Sequence, residues 1–129
     1  MNLDNSIHAC KLAFKASYAP YSNYHVGAAL VCKNGKIYSG CNIENHGIMA
    51  ICAERVAFTK AISEGERDFD YIVVCGGRNI ENLEDCLPCG YCRQFMSEFV
   101  DDTFKVYAAT NEGVEEFGIK DLLPHSFNL

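Results

Sequence analysis

The sequence predicts an α/β fold built as one domain over residues 1-129, and three observations carry that reading. Stretches with helical apolar spacing alternate along the chain with short apolar runs of strand type. Asn34-Gly35 separates two such runs by the length of a hairpin turn. With 129 residues and 49% hydrophobic composition, the chain has enough apolar material for one core and no second domain.

Ile7, Cys10, Phe14 and Tyr18 recur on one face of a helix predicted over about residues 5–18, capped by Asp4 or Asn5 and stopped by Pro20. Tyr21 to Tyr24 lead into an apolar strand at 26–32, and the turn at 33–36 returns the chain as a second strand from Ile37 to about Cys41. Strands joined this way are antiparallel neighbours. A polar loop, Asn42 to Gly47, precedes a helix predicted from Cys52 to about Glu64, with Gly65 as its C-terminal cap. Tyr71 to Gly76 reads as a buried strand and 78–86 as a loop. Pro88 stands where a first-turn proline would open another helix, in which Cys92, Phe95, Met96 and Phe99 share a face. Strands near 104–110 and 114–117 and a short helix at 119–123 complete the chain.

Composition excludes several classes of function. Eleven Lys and Arg against seventeen Asp and Glu, with no basic run, give a net charge of -6 and no electrostatic footprint for a long nucleic acid. No apolar run approaches the roughly 18 residues of a membrane span, and Met-Asn-Leu-Asp-Asn lacks the basic and apolar regions of a signal peptide. The expectation is a soluble, cytoplasmic protein without membrane partners. Eight cysteines in such a chain point to metal binding or redox chemistry rather than a disulfide framework.

Two cysteine-bearing stretches stand out, Cys52-Ala53-Glu54-Arg55 and Pro88-Cys89-Gly90-Tyr91-Cys92. Cys52, Cys89 and Cys92 offer three thiols, and three protein ligands on zinc leave the fourth tetrahedral position for water. Such a site is catalytic; a fourth cysteine would have closed it. Both stretches begin helices, whose unpaired N–H groups and positive dipole ends favour thiolates. Three thiolates around Zn²⁺ leave a net charge of -1, which opposes ionisation of the metal's water. Arg55 and Arg93 are candidates to offset that charge by donating hydrogen bonds to sulfur. Glu54, beside the metal without binding it, is placed to shuttle protons. Taken alone, the C-x-x-C also fits a structural zinc or a dithiol redox pair, Glu54 an ordinary first-turn acid, and Arg55 a surface residue. Cys10, Cys32, Cys41, Cys75 and Cys86 read as small buried hydrophobes, with Cys86 set apart by standing close before Cys89. His25 and His46 lie in loops that face either solvent or the site.

A cysteine, a glutamate two residues on and a later Pro-Cys-x-x-Cys follow the pattern of zinc-dependent nucleobase deaminases. Nearly the whole chain resembles the small, homotetrameric cytidine deaminases. Tyr18 to Ser22, Val26 to Leu30, Gly40 to Asn45, Cys52 to Arg55, Pro88-Cys89-Gly90 with Cys92-Arg93-Gln94, and Leu122-Leu123-Pro124 with Phe127 carry the resemblance. It implies a three-layer α/β/α sandwich with a five-stranded mixed sheet and zinc on Cys52, Cys89 and Cys92. It further implies hydrolysis of cytidine or 2'-deoxycytidine to the uridine and ammonia in pyrimidine salvage, zinc-bound water attacking C4 while Glu54 shuttles protons. For the small-molecule substrate it implies Asn42 and Glu44 on the ribose 3'-hydroxyl, Tyr24 stacked on the base, and the backbone of Ala53 and Glu54 on the base edge. Phe127 would reach the site of a neighbouring subunit in a homotetramer.

The chain departs from that family's pattern between Asn45 and Cys52, where six residues, 46–51, stand without the usual tyrosine and one residue short. Tyr24 replaces a usual phenylalanine, His25 is unusual beside it, Leu87 takes the place of a serine or threonine, and Tyr91 that of a small residue. These changes point to altered base or sugar preference, with a nonstandard aminated nucleoside as the alternative substrate. A non-catalytic nucleoside-binding or structural-zinc protein is a further alternative, disfavoured by the presence of Glu54.

Overall fold

A period of two along the apolar runs sends alternate side chains to opposite faces of a sheet, and both faces here are covered. The computed structural model describes residues 2–128, except for the side chain of Ile48. Its elements are α1 (Asp4–Ala16), β1 (His25–Cys32), β2 (Ile37–Cys41), a 3-10 turn (Gly47–Met49), α2 (Ala53–Ser63), β3 (Phe69–Gly77), α3 (Gly90–Ser97), β4 (Lys105–Ala109), β5 (Val114–Gly118) and α4 (Ile119–Leu122). The five strands form one mixed sheet in the order β2-β1-β3-β4-β5. Only β3 and β4 are parallel, joined by the crossover that contains α3; the remaining pairs are antiparallel.

Ala29, Val31, Tyr71, Val73 and Cys75 face Cys10 and Phe14 of α1, while Ala28, Leu30, Ile72 and Val74 face Phe58 of α2 and Met96 of α3. The result is the expected α/β/α sandwich. Two glycines set how closely helices lie on the sheet. A Cβ on Gly27 would collide with the carbonyl oxygen of Cys10, and one on Gly40 would lie 2.6 Å from both Ala53 O and Ala57 N. Gly40 thereby lets the first turn of α2, which carries the ligand cluster, press against β2.

Three predicted boundaries differ, each for a local reason. α1 begins at Asp4 with Leu3 as N-cap and no side-chain cap, so neither Asp4 nor Asn5 caps it; Asn2 Oδ1 instead accepts the Asp4 N–H at 2.9 Å. It ends at Ala16, short of Tyr18, which is exposed. Ser17 turns extended, the Tyr18 N–H donates to Asn42 O at 3.0 Å, and the Glu44 N–H donates to Tyr18 O at 2.8 Å. A tertiary pairing thus replaces the last helical turn. α3 starts at Gly90 with Cys89 as N-cap, so Pro88 precedes the cap instead of occupying the first helical position.

The predicted stop of α2 takes full form. Gly65, at φ +99°, donates to Ile62 O at 3.0 Å while the Glu66 N–H donates to Ala61 O at 3.0 Å, the paired bonds of a Schellman motif. All eight cysteines are free. No helix among the described residues is long and apolar enough to cross a membrane.

Candidate active site and metal centre

Two helix starts meet at the site. Cys52 is the N-cap of α2 and Cys89 the N-cap of α3, both with extended backbone, and Cys92 lies in the first turn of α3. Neither N-cap cysteine makes a side-chain hydrogen bond to its helix, so the sulfurs are left for another partner. The sulfurs of Cys52, Cys89 and Cys92 all lie within 4.8 Å of one another, with Cys52 and Cys89 3.8 Å apart. Two thiolates on a tetrahedral zinc, at about 2.3 Å each, stand roughly 3.8 Å apart, so the donor set fits that ion in type and spacing.

Electrostatics favour thiolate at Cys52. The hydrogen bond from Cys92 pulls its pKa down, and the Arg55 guanidinium and Cys89 thiol add to this against the cost of burial. Cys92, as the donor of that bond and itself buried, is pushed up. Arg55 Nη2 donates to Cys52 Sγ at 3.6 Å. Burial works against the Arg55 charge, but the sulfurs of Cys52 and Cys92 outweigh it and hold the guanidinium protonated. Arg93 does not take the sulfur role expected of it: its Nε donates to Pro88 O at 2.7 Å and its Nη1 to Leu122 O at 3.0 Å. Those bonds tie the ligand-bearing turn to α4. Glu54 is 3% exposed, and burial pushes its carboxyl up to about 7, with the Cys52 charge adding to the rise.

A cavity of about 370 Å³ opens beside the thiols. Tyr24, Val26, Asn42, Glu44, Cys52 and Glu54 line it together with Ala53, Cys86 and Cys89. That volume lies within the range of small-molecule sites.

The zinc-binding region of the cytidine and deoxycytidylate deaminases matches residues 2–108. The chain belongs to this family. A cytidine deaminase of Sporosarcina psychrophila is 41% identical over 130 aligned residues, covering 99% of this chain and 93% of that protein. A blasticidin-S deaminase of Bacillus cereus is 34% identical over 108 residues, 80% of this chain and 76% of its own. The crystal structure of cytidine deaminase from Burkholderia pseudomallei superposes with a TM-score of 0.87 at 39% identity, covering 98% of this chain and all of that one. As a member of this zinc-binding deaminase family, and with a three-thiol cluster of zinc spacing, the chain takes Zn²⁺ as cofactor.

The structure also sorts the other residues singled out in the sequence. Asn42 and Glu44 line the cavity and are already engaged with the protein. Asn42 Oδ1 accepts the Val26 N–H at 2.8 Å, and its Nδ2 donates to Tyr24 O at 2.9 Å. Glu44 Oε1 accepts the N–H groups of Tyr21 and Ser22 at 3.0 and 3.1 Å, and Oε2 accepts the Ser22 hydroxyl. The Ser22 hydroxyl, then its N–H, hold the Glu44 carboxyl below the ordinary range. Tyr24 is half-buried, with its phenol pushed up to about 12 by burial and then by Cys86.

Phe127 is 67% exposed and lies outside the cavity of its own chain. His25 and His46 do not line the cavity either. His25 is bonded to Ser17 and Asn23, and His46 packs edge-on to Tyr21 at 5.2 Å. Within 46–51, Ala50 and Ile51 reach the cavity wall, whereas Met49 is 74% exposed. Cys86, set apart in the sequence from the other small buried cysteines, lines the cavity with Asp85 and Leu87. Its place three residues before Cys89 is the signal of that in the sequence.

Proposed function

We propose that the protein is a cytidine deaminase, hydrolysing cytidine or 2'-deoxycytidine to the uridine nucleoside and ammonia. The observation that carries this reading is the cluster of Cys52, Cys89 and Cys92, of which Cys52 and Cys89 line a small-molecule cavity together with the buried carboxyl of Glu54. When bound, zinc supplies a water of lowered pKa and with it a nucleophile near neutral pH.

Glu54 is the proton carrier. A carboxyl poised near 7 takes a proton and returns it at little cost at neutral pH. In this reading it accepts one proton of the attacking water and passes it to the ring nitrogen beside C4, then takes the remaining proton from the new C4 hydroxyl and hands it to the amine as it leaves. The oxygen of water ends on C4 and the nitrogen departs as ammonia. Arg55 offsets the negative charge of the three-thiolate set through its bond to Cys52.

Asn42 and Glu44 recognise the ribose 3'-hydroxyl. Their bonds to the chain fix their orientation and still leave amide and carboxylate capacity for a sugar hydroxyl. Tyr24 stacks on the base, and the first-turn N–H groups of α2 at Ala53 and Glu54 meet its edge. A site that hydrogen-bonds the sugar penalises ligands lacking it, so free cytosine is a poor substrate. Phe127, exposed on its own chain, is assigned to the site of a neighbouring subunit in a homotetramer. The enzyme on this reading serves pyrimidine salvage in the cytoplasm.

A second reading keeps the chemistry and changes the base. Ala50 and Ile51 bring the divergent segment 46–51 to the cavity wall, and a relative 34% identical bears the name blasticidin-S deaminase. One experiment separates the two. Purified protein with about one zinc per chain is offered cytidine, deoxycytidine, cytosine and nonstandard aminated nucleosides, and ammonia release is followed. Turnover of the two common nucleosides with cytosine inert supports the first reading. Turnover of only a nonstandard nucleoside selects the second, and inertness towards every nucleoside defeats both.

A further inference from the structure

We propose that Tyr91 is a positioning residue for the metal centre, holding the Arg55 guanidinium against the ligand sulfur by stacking under it. The inference rests on the zinc-site reading of Cys52, Cys89 and Cys92. Arg55 lies in the first turn of α2 and Tyr91 in the first turn of α3, so the two neighbouring helix starts face each other through these side chains.

Arg55 needs such a partner. A cation at a helix N-terminus sits at the wrong end of the dipole, and only nearby negative charge justifies its place. A guanidinium fixes its orientation through a fork of N–H bonds; here Nη2 donates to Cys52 Sγ at 3.6 Å and the Cys92 sulfur also draws the charge. Arg55 Nε is buried and finds no hydrogen-bond partner among the described residues. What remains is the ring of Tyr91, whose centroid lies 4.2 Å from Arg55 Cζ, well within the distance of a cation–π contact.

Tyr91 itself is 64% exposed. The fold therefore does not require it as core, and its hydroxyl makes no bond recorded among the described residues. Its ring face is the part in use. The ring blocks the guanidinium from swinging outward, so the positive charge stays on Cys52, where it offsets the excess charge of three thiolates. Tyr91 is not among the residues that line the cavity, and it acts through Arg55.

The test uses the zinc-loaded enzyme with Tyr91→Ala and Tyr91→Phe, each made also in an Arg55→Gln background. Two quantities are read: the rate of zinc transfer to a competing chelator, and kcat and KM for the nucleoside that turns over. Zinc transfer needs no substrate, so it decides the proposal even if the assignment of the nucleoside fails. The expected result for Tyr91→Ala is a two- to fivefold faster zinc transfer and a similar fall in kcat at unchanged KM, about the strength of a partly exposed cation–π pair. Tyr91→Phe, which keeps the ring face, restores both, and Tyr91→Ala adds nothing once Arg55 is Gln. The proposal is overturned if Tyr91→Ala leaves zinc transfer unchanged, if its effect is undiminished in Arg55→Gln, or if Tyr91→Phe behaves as Tyr91→Ala.

Discussion

The first turns of α2 and α3 differ from the segment 42–51 in what fixes them. Around Glu54 and Cys92 the backbone is helical and packed: Ala53 and Cys92 are fully buried, and Gly40 admits α2 onto the sheet. Segment 42–51 has no regular element beyond the 3-10 turn Gly47–Met49. It is held by isolated bridges, Tyr18 with Ile43 and Ile43 with Ile51, and by the side-chain bonds of Asn42 and Glu44. The difference teaches a division of labour. Chemistry needs its groups held to a fraction of an ångström, which helix starts packed on a sheet provide. Substrate choice needs adaptable walls, which a loop provides.

Zinc removal breaks the comparison most severely. Dialysis against a strong chelator is expected to abolish ammonia release and re-addition of Zn²⁺ to restore it, since the ligands have no other source of the nucleophile. Activity that survives complete removal, measured by metal analysis, would sink the metal-centre assignment.

Glu54→Gln comes next. Loss of the proton carrier should lower kcat by about 10²–10⁴-fold, with zinc content unchanged. Full turnover in this variant would remove Glu54 from the mechanism.

The same variant makes a stability prediction for the zinc-free protein. Burial raises the Glu54 carboxyl from 4.5 to about 7. Between those values the folded chain holds the proton more tightly than the unfolded one, so its stabilising contribution is full below the unfolded pKa and is lost as pH rises through 7. Zinc-free Glu54→Gln should therefore exceed the zinc-free wild type by about 2–3 kcal/mol at pH 8, the gap closing below about pH 4. Denaturant titrations at both pH values check the sign.

The smallest effect belongs to the loop. Glu44→Gln should raise KM for the nucleoside by about tenfold, the scale of one charge-assisted hydrogen bond, while kcat changes little. A fall in kcat at constant KM would place Glu44 with the chemistry and erase the distinction between loop and helix starts.

Much of this architecture was legible in sequence. Asn34-Gly35 between apolar runs and Gly65 placed the hairpin and the end of α2 because each depends on local torsional preference. The spacing of Cys52, Glu54, Cys89 and Cys92 announced the metal chemistry, since ligand type and helical phase are written in neighbouring residues. Where local signals met competition they misled. Tyr18 continued a helical face on paper, yet its backbone pairs with Asn42 and Glu44, residues distant in sequence. Arg93 was as good a candidate for the thiolates as Arg55 until the fold turned it to the carbonyls of Pro88 and Leu122.

The sequence by itself determined the order of elements and singled out the three thiols and the carboxyl that the fold gathers, because these follow from residue chemistry and from the helical period of 3.6. Only the tertiary structure decided which arginine meets the sulfurs, that Tyr91 lies under it, and that Cys86 rather than His25 or His46 lines the cavity. Those outcomes depend on how separate elements are brought together by packing on the sheet, and no local preference encodes the distance between residues on different elements.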